Sequence, residues 1–473
     1  MHPTRTSPPG RQENLRLADA RFELLERRVL FAGTALYLTE ITTAAGLELS
    51  IDGSPGDDRI SIVAYGDSLT LANKGGWWTT LPNHFALIHI NGARGHDVVI
   101  VDGSVTTESI VRGSNGDDTI MGGAGDDRIY GGFGRDRILG GGGDDTIVSI
   151  GDSVQDRVSG DAGFDSFWTD SQKSEVVTDA SPEERSAGAV HRVDAFLSPP
   201  QPVSSSSDTT TGTPFVMTRD LGAQDLPDPQ AAASAISVNF AQSPLFADAG
   251  PTEFDIEQGQ VGDCYLLATL AAVAKQEPTL IRQSIAELGD GTYAIRFQRG
   301  TVSVYVRVDA DLPAYSVTSP PMYAKLGVQG SLWAALIEKG YAFFRTGAGT
   351  YASLQAGWMS EVFDALGTPS QAIWQTGQVP PDLLAVLKTE LDAGAAVTWA
   401  TNTVPAGVPL VASHAYSVEA ITLDANRVAV SVTLRNPWGK DGGGNADGAN
   451  DGLVTLRRDQ IGQAFSAIMY ARV

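Results

Sequence analysis

The chain has 473 residues, enough for about two or three domains. It carries 56 acidic and 33 basic residues, and its net charge of -23 argues against nucleic-acid binding, which needs a basic surface. Its single cysteine, Cys264, excludes internal disulfides and cysteine-based zinc clusters. No apolar run reaches the roughly 18 residues of a membrane-spanning helix, so no transmembrane segment is predicted.

Residues 1–45 are predicted to be a leader or export segment. The pair Arg27–Arg28 precedes a stretch of apolar and small residues, as in a signal peptide, although it comes late and no cleavage site is clear. The stretch also resembles a short N-terminal signature of exported proteins in some bacteria. The alternative is that it forms the first strand or helix of the folded domain.

Residues 46–170 hold most of the repetition in the chain. Four contiguous nine-residue units run from Gly113: GSNGDDTIM, GGAGDDRIY, GGFGRDRIL and GGGGDDTIV. Glycine, aspartate and isoleucine recur in register at Gly116, Gly125, Gly134 and Gly143, at Asp118, Asp127, Asp136 and Asp145, and at Ile120, Ile129, Ile138 and Ile147. The period predicts a short strand and a tight glycine turn per unit, in which carboxylates and turn carbonyls offer the hard oxygen ligands that Ca²⁺ prefers.

These units resemble the RTX, or haemolysin-type, calcium-binding repeat, which implies a parallel β-roll with calcium as its cofactor. The recurring glycines and aspartates are the expected metal-site residues, and without metal so short a roll is expected to unfold. Irregular strands over residues 46–110 are expected to cap its N-terminal side. The alternative is a flexible spacer rich in glycine and aspartate, but a spacer has no reason to keep isoleucine in register.

Residues 171–235 are predicted to be a flexible linker, because segments such as SPPQPVSSSSDTTTGTP offer little to build a core. Residues 236–473 then have the composition of an ordinary globular domain.

The candidate chemistry lies in this last domain. Cys264 opens an apolar helical pattern that Pro278 closes, and the start of a helix favours the nucleophilic thiolate. His414 is the only histidine between residues 192 and 473, and it lies in the strand-like segment SHAYSVEAI. Asn436 follows in LRNPWG, and Gln258 lies six residues before the cysteine. A thiol, an imidazole, and amide groups to orient and donate form the set that a papain-type hydrolase uses.

The blocks QGQVGDC, HAYSV and RNPWG resemble the calpain family of papain-like cysteine proteases. The resemblance implies that Cys264 is the nucleophile, that His414 transfers the proton and that Asn436 orients the imidazole. It also implies that Gln258 donates to the oxyanion. The family usually has tryptophan after the cysteine, where this chain has Tyr265.

The implied fold is a multidomain chain: an N-terminal RTX-type parallel β-roll and a C-terminal α+β papain-like protease core of two subdomains. The patterns predict a hairpin around Arg299–Gly300, a helix over SLWAALIEKGYAFF, another helix before Gly394, and a C-terminal antiparallel sheet. The glycine-rich segment DGGGNADGANDG is expected to be a loop, with a further calcium site as the alternative.

The expected function is a calcium-associated cysteine endopeptidase that cleaves protein or peptide substrates through an acyl-enzyme and is located outside the cell or at its surface. Two alternatives stay open. One is a calcium-dependent surface adhesin or scaffold whose protease-like domain only binds peptides. The other is transglutaminase-type acyl transfer, although such enzymes normally use aspartate where this chain has Asn436. Cleavage preference and oligomeric state do not follow from the sequence.

Overall fold

The computed structural model describes most of the chain in eleven stretches. These are residues 27–30, 36–43, 46–151, 154–171, 176–197, 216–217, 226–247, 250–377, 379–442, 449–462 and 464–473.

The N-terminal half is a parallel β-roll made of two facing sheets. From Leu87–Asn91 onwards, successive strands alternate between the sheets, so that the 18 residues of two nine-residue units make one coil. Roll sheet A has the spatial order Arg27–Leu30, Tyr37–Thr42, Leu47–Asp52, Leu87–Asn91, Ser109–Asn115, Arg128–Phe133, Thr146–Ser149, Ser166–Asp170 and Val190–Val193. Roll sheet B has the order Val176–Val177, Arg157–Ala162, Arg137–Gly142, Thr119–Met121, Val98–Val101, Arg59–Tyr65, Ser68–Asn73 and Trp78–Pro82.

The repeating isoleucines form the core between these sheets. Ile120 lies beside Ile138 on sheet B, and Ile129 lies beside Ile147 on sheet A. All four side chains are fully buried. Because a strand alternates its side chains between faces, one aliphatic residue per nine suffices to fill this narrow core. The predicted β-roll is confirmed.

The C-terminal half contains three further sheets. The first has the order Val216–Met217, Phe196–Leu197, Val302–Asp309, Thr292–Arg299 and Ile285–Glu287, and a two-stranded sheet pairs Ile236–Asn239 with Asp311–Ala314. The C-terminal sheet has the order Gln371–Trp374, Ala467–Arg472, Ala395–Ala400, Ala415–Leu423, Ala429–Arg435 and Leu453–Arg457.

Helices pack around these sheets. The α-helices are Pro182–Ser186, Cys264–Gln276, Pro278–Arg282, Trp333–Phe344, Met359–Leu366, Leu383–Asp392 and Arg458–Ile461, and short 3-10 turns cover Glu253–Asp255, Val328–Gly330 and Tyr351–Leu354. We call Cys264–Gln276 the cysteine helix and Trp333–Phe344 the glutamate helix. Both are buried along almost their whole length, and the cysteine helix contacts two central strands of the C-terminal sheet. The predicted hairpin, helices and C-terminal sheet are confirmed.

The structure corrects the predicted linker at residues 171–235. Val176–Val177 and Val190–Val193 extend the two roll sheets by a further coil, with the helix Pro182–Ser186 between them. Phe196–Leu197 then pairs with Val302–Asp309 of the C-terminal half. The segment lacks a nine-residue signature, so its composition indicated a linker, but its few apolar residues are the ones that continue the sheets. Residues 198–215 and 218–225 lie outside the described residues.

The predicted leader at residues 1–45 is also corrected in part. Arg27–Leu30 and Tyr37–Thr42 pair as antiparallel strands at the edge of roll sheet A, which is the alternative that the sequence left open. Residues 1–26 lie outside the described residues.

The roll packs directly against the C-terminal half. Tyr130 and Trp168 of the roll share an apolar cluster with Leu288 and Tyr305. The rings of Trp168 and Tyr305 lie 6.0 Å apart, centroid to centroid, in an edge-on arrangement. Arg112 Nε donates to Gly289 O at 3.2 Å. The two halves therefore share a small core.

Within the described part of the chain, no helix combines the length and apolar character needed to cross a membrane.

Candidate active site and candidate calcium sites

The fold brings Cys264, His414 and Asn436 together. Cys264 is the first residue of the cysteine helix, while His414 directly precedes the strand Ala415–Leu423. Asn436 directly follows the neighbouring strand, which ends at Arg435. The backbone N–H of Ala415 lies close enough to the Cys264 sulfur to lower the pKa of the thiol, so the thiol lies beside the residue that follows the histidine. Residues 150 positions apart are joined because the cysteine helix packs on these strands.

The histidine and the asparagine form a buried hydrogen-bonded pair. His414 Nε2 lies 2.8 Å from Asn436 Oδ1, and Asn436 Nδ2 donates to Asp441 O at 3.1 Å. Because the amide nitrogen faces a carbonyl, the amide oxygen must face the imidazole, and the imidazole must then carry its proton on Nε2. This tautomer leaves Nδ1 as the free proton acceptor. The ring of Trp438 lies 4.5 Å from that of His414 and covers the pair.

Burial opposes ionisation of both Cys264 and His414. Burial raises the pKa of the Cys264 thiol to about 11 and lowers the pKa of His414. The hydrogen bonds among the described residues include none between Cys264 and His414. The helix start alone predicted a thiolate, but in this structure burial is the largest influence on the pKa of each group, and it opposes the charged form of both.

Gln258 lies in the site, but its side-chain amide points inwards. Its Nε2 donates to Val261 O at 2.7 Å and to Asp263 Oδ1 at 3.1 Å, so both amide hydrogens have protein acceptors. Its backbone N–H donates to Pro437 O at 2.7 Å, next to Asn436. Gln258 thus joins the cysteine segment to the asparagine loop. To donate to an oxyanion, its amide must give up one of these bonds.

Sequence reasoning missed a pair of buried carboxyl groups behind this site. Asp263, directly before the cysteine, is fully buried, and Glu338 in the glutamate helix is 1 % exposed. The two carboxyl groups lie within hydrogen-bonding reach of each other, and both oxygens of Glu338 accept from the N–H of Ala324 at 3.0 and 3.1 Å. Burial raises the pKa of Asp263 to about 6 and that of Glu338 well above its ordinary value.

Two buried carboxyl groups in contact hold one proton between them at neutral pH, because two negative charges cannot be accommodated there. The network then runs from Glu338 through Asp263 to Gln258. The signal in the sequence was a glutamate in the middle of the apolar segment SLWAALIEKGYA, but its partner lies 75 residues away.

In the roll, buried aspartates form ladders along both edges. The N–H of Asp118 donates to Asp136 Oδ1 at 2.9 Å, and the N–H of Asp127 donates to Asp145 Oδ1 at 2.8 Å. All four aspartates are 1 % exposed. Burial raises the pKa of Asp118 and of Asp127 to about 6 and that of Asp145 to about 9, because the charged form loses water.

The second carboxylate oxygen of two of these aspartates is unpartnered. Asp118 Oδ2 and Asp145 Oδ2 have no hydrogen-bond partner, whereas Asp127 Oδ2 accepts from the N–H of Gly123 at 2.7 Å. A Cβ placed on Gly113 would lie 2.5 Å from both Asp118 Oδ2 and the carbonyl oxygen of the next coil, Gly131 O. The missing side chain therefore leaves a space on which a carboxylate and a carbonyl oxygen converge.

This donor set fits calcium. The described residues contain no group of three or more His, Cys, Asp or Glu side chains that could hold a metal, so an ion in the roll would need backbone carbonyls as well as carboxylates. Ca²⁺ accepts such mixed oxygen ligands, and orphaned buried carboxylates are groups that a cation would stabilise.

Neighbouring coils approach closely at the glycines of the predicted metal sites, which are Gly116, Gly125, Gly134 and Gly143. A Cβ on Gly116 would lie 1.6 Å from Gly95 O, and one on Gly134 would lie 1.9 Å from Gly116 O. Three of the four have positive φ angles, and Gly125 does not. These contacts indicate that the glycines shape the turns, while the carboxylates are the charged donors.

Comparisons with known proteins agree with both halves of the fold. Residues 234–446 match the family described as calpain family cysteine protease, and residues 112–147 match the RTX calcium-binding nonapeptide repeat in four copies. The chain is 28 % identical over 219 residues to Calpain-A of Drosophila melanogaster, a match covering 43 % of this chain and 26 % of the relative. It is 29 % identical over 215 residues to the Calpain-2 catalytic subunit of Bos taurus, covering 42 % and 30 % respectively.

The match therefore spans less than a third of the length of these curated relatives. The fold and the matching segments define a chain with a cysteine protease domain joined to a calcium-binding β-roll. More narrowly, it carries a calpain-family cysteine protease domain and RTX calcium-binding repeats, as the sequence blocks predicted.

Proposed function

We propose that this chain is a calcium-associated cysteine endopeptidase acting on proteins or peptides. The observation that carries the proposal is the buried pair of His414 and Asn436, at 2.8 Å, beside the Cys264 thiol, which lies close to the N–H of Ala415. Acyl transfer needs a nucleophile, a base with a defined tautomer and a group that orients the base, and this cluster supplies all three.

In the proposed reaction, His414 Nδ1 takes the proton of Cys264 as the sulfur attacks the scissile carbonyl carbon. The resulting imidazolium then gives the proton to the leaving amine, and the acyl-enzyme is released by water that the same imidazole deprotonates. Asn436 keeps Nε2 protonated throughout.

The oxyanion would be stabilised by the backbone N–H of Cys264 and by the amide of Gln258. For this the Gln258 amide must turn from Asp263 or Val261, so the inward bonds describe a resting state. One such donor contributes about 3–4 kcal/mol to transition-state binding.

We place the bound calcium in the roll. A bound ion would neutralise the buried aspartates and tie neighbouring coils together, which the unpartnered oxygens of Asp118 and Asp145 support. Repeats that use calcium in this way suit the millimolar calcium outside cells, so we place the protein outside the cell or at its surface.

The decisive experiment uses the full chain in calcium. Cys264→Ala should abolish hydrolysis of casein while leaving the circular dichroism spectrum and melting temperature unchanged. Activity that persists in this variant would overturn the assignment.

A second measurement separates a protease from a peptide-binding scaffold. The chain has one cysteine, so covalent labelling by a thiol-reactive peptide inhibitor reports on Cys264 alone. We expect stoichiometric labelling at neutral pH, at least tenfold slower labelling in His414→Ala, and unchanged labelling in the control His84→Ala, whose histidine is exposed on the roll. A scaffold would show the same slow labelling in all three proteins.

A further inference from the structure

We propose a further calcium site at Asp97, outside the four nine-residue units that match the RTX repeat. It extends the proposed calcium role of the roll and does not depend on the protease chemistry. Asp97 lies in the segment GARGHDVVI, which departs from the repeat, and the matching residues begin only at position 112.

The Asp97 carboxylate is buried, and only one of its two oxygens has a hydrogen-bond partner. Its residue is 1 % exposed, and Oδ1 accepts from the N–H of Asp58 at 2.7 Å. Its own N–H donates to Asp118 Oδ1 at 2.8 Å, so Asp97 continues the aspartate ladder by one coil. Oδ2 has no hydrogen-bond partner.

The unpartnered oxygen faces a space left by a glycine. A Cβ placed on Gly92 would lie 2.6 Å from Asp97 Oδ2 and 2.9 Å from Gly113 O in the next coil. One coil later, a Cβ on Gly113 would lie 2.5 Å from both Asp118 Oδ2 and Gly131 O. The arrangement of carboxylate, glycine and carbonyl at Asp97 is therefore the one found inside the matching repeats.

The ladder ends one coil earlier, at Asp58, where the protein satisfies the carboxylate itself. Asp58 Oδ2 accepts from the N–H of Ser54 at 2.6 Å and from Ser54 Oγ at 2.8 Å. A serine thus takes the place that an ion would fill. Because Asp58 Oδ2 has donors within the chain and Asp97 Oδ2 has none, Asp97, and not Asp58, requires an external partner.

A divalent cation with affinity for oxygen is the partner that fits. The charged and titratable groups around Asp97 include Asp57, Asp58, Asp118 and His96. Three of these four are acidic, so this edge of the roll has an excess of carboxyl groups. The converging donors are one carboxylate and one carbonyl oxygen, which suit Ca²⁺ better than a transition metal.

The test counts calcium ions per chain by titration calorimetry and equilibrium dialysis, with the full chain in the Cys264→Ala background to prevent self-cleavage. Asp97→Asn should bind one ion fewer than its parent. Asp58→Asn, the matched control one coil away, should bind as many calcium ions as its parent. An unchanged number in Asp97→Asn overturns the proposal.

A second pair of variants leaves every carboxylate in place. Gly92→Ala fills the space beside Asp97, whereas a Cβ on Gly56 meets nothing within 4 Å, and neither glycine has a positive φ angle. We expect Gly92→Ala to lose one ion and Gly56→Ala to lose none. Equal numbers in these two variants also overturn the proposal, even if Asp97→Asn fails to fold. Because the ions are counted without turnover, failure here is distinct from failure of the protease assignment.

Discussion

The roll and the protease domain deal with buried carboxyl groups in opposite ways. In the protease domain the groups that face them are side chains of the same domain: Asp263 lies within hydrogen-bonding reach of Glu338, and Asp309 lies 2.6 Å from the ammonium of Lys339, which is fully buried. In the roll, Asp118 and Asp145 keep one oxygen without a partner. In the roll, the unpartnered oxygens are therefore groups that a bound cation would stabilise.

The two regions differ in their cores for the same reason. The protease core surrounds the cysteine helix on several sides, whereas the roll core is a single column of aliphatic side chains between two sheets. So narrow a core buries little apolar area per residue, which leaves the roll dependent on the charge balance at its edges.

Calcium removal should give the largest effect. Each occupied site adds about 4 kcal/mol to the stability of the roll when free calcium is about a thousandfold above its Kd. We expect the metal-free chain to lose the strand signal of the roll in circular dichroism well below the temperature at which the calcium-loaded chain melts. Equal melting temperatures with and without calcium would contradict the expected dependence of the roll on calcium.

The pH dependence should change sign with calcium. The folded pKa values of Asp118, Asp127 and Asp145 lie above the unfolded value, at about 6, 6 and 9. Their stability contribution in the metal-free roll is therefore complete below about pH 4 and is lost as pH rises from about 6 to 9. Calcium binds the deprotonated form, so its stabilisation should grow over the same range. Melting curves at pH 5, 7 and 9 check both trends.

In the protease domain, Glu338→Leu should cost about 3–5 kcal/mol, because it leaves the Asp263 carboxylate buried without its proton donor. Glu338→Gln retains a donor of the same shape and should unfold in urea within about 1 kcal/mol of the parent. The leucine variant should also lower kcat more than it raises KM, because Asp263 holds Gln258. Equal losses in both variants would show that the shared proton has no role.

The sequence predicted most of the fold because the signals are local. The nine-residue period placed the isoleucines in register, and Gly300 marked the hairpin turn. Prediction from the sequence failed where residues in contact are far apart along the chain. Glu338 and Asp263 are 75 residues apart, and no local pattern links them. Likewise, Glu184 lies in a segment that resembles a linker, yet its carboxylate accepts the N–H of Asp165 at 2.7 Å and closes one aspartate ladder. The thiol pKa depends on burial, which spacing does not reveal.

The shared core between the regions offers the next prediction. Tyr130 of the roll is 6 % exposed and packs against Gly289 of the protease domain, where an added Cβ would lie 2.7 Å from its ring. Tyr130→Ala should cost about 3 kcal/mol and split calorimetric unfolding in calcium into two transitions. The control Tyr65→Ala, at a site 75 % exposed on the roll, should leave unfolding unchanged. A single transition in Tyr130→Ala would mean that the halves are joined elsewhere.

The smallest expected effect concerns charges at the rim of that shared core. Glu287 of the protease domain lies 3.6 Å from Arg128 and 3.9 Å from Arg112, both on the roll. These distances exceed a normal hydrogen bond, so the attraction is mainly Coulombic, and at this partly exposed position Glu287→Gln should cost about 0.2–1 kcal/mol. The loss should disappear in about 1 M salt, where the screening length falls to about 3 Å. A loss that persists in high salt would show that Glu287 acts by packing and not by its charge.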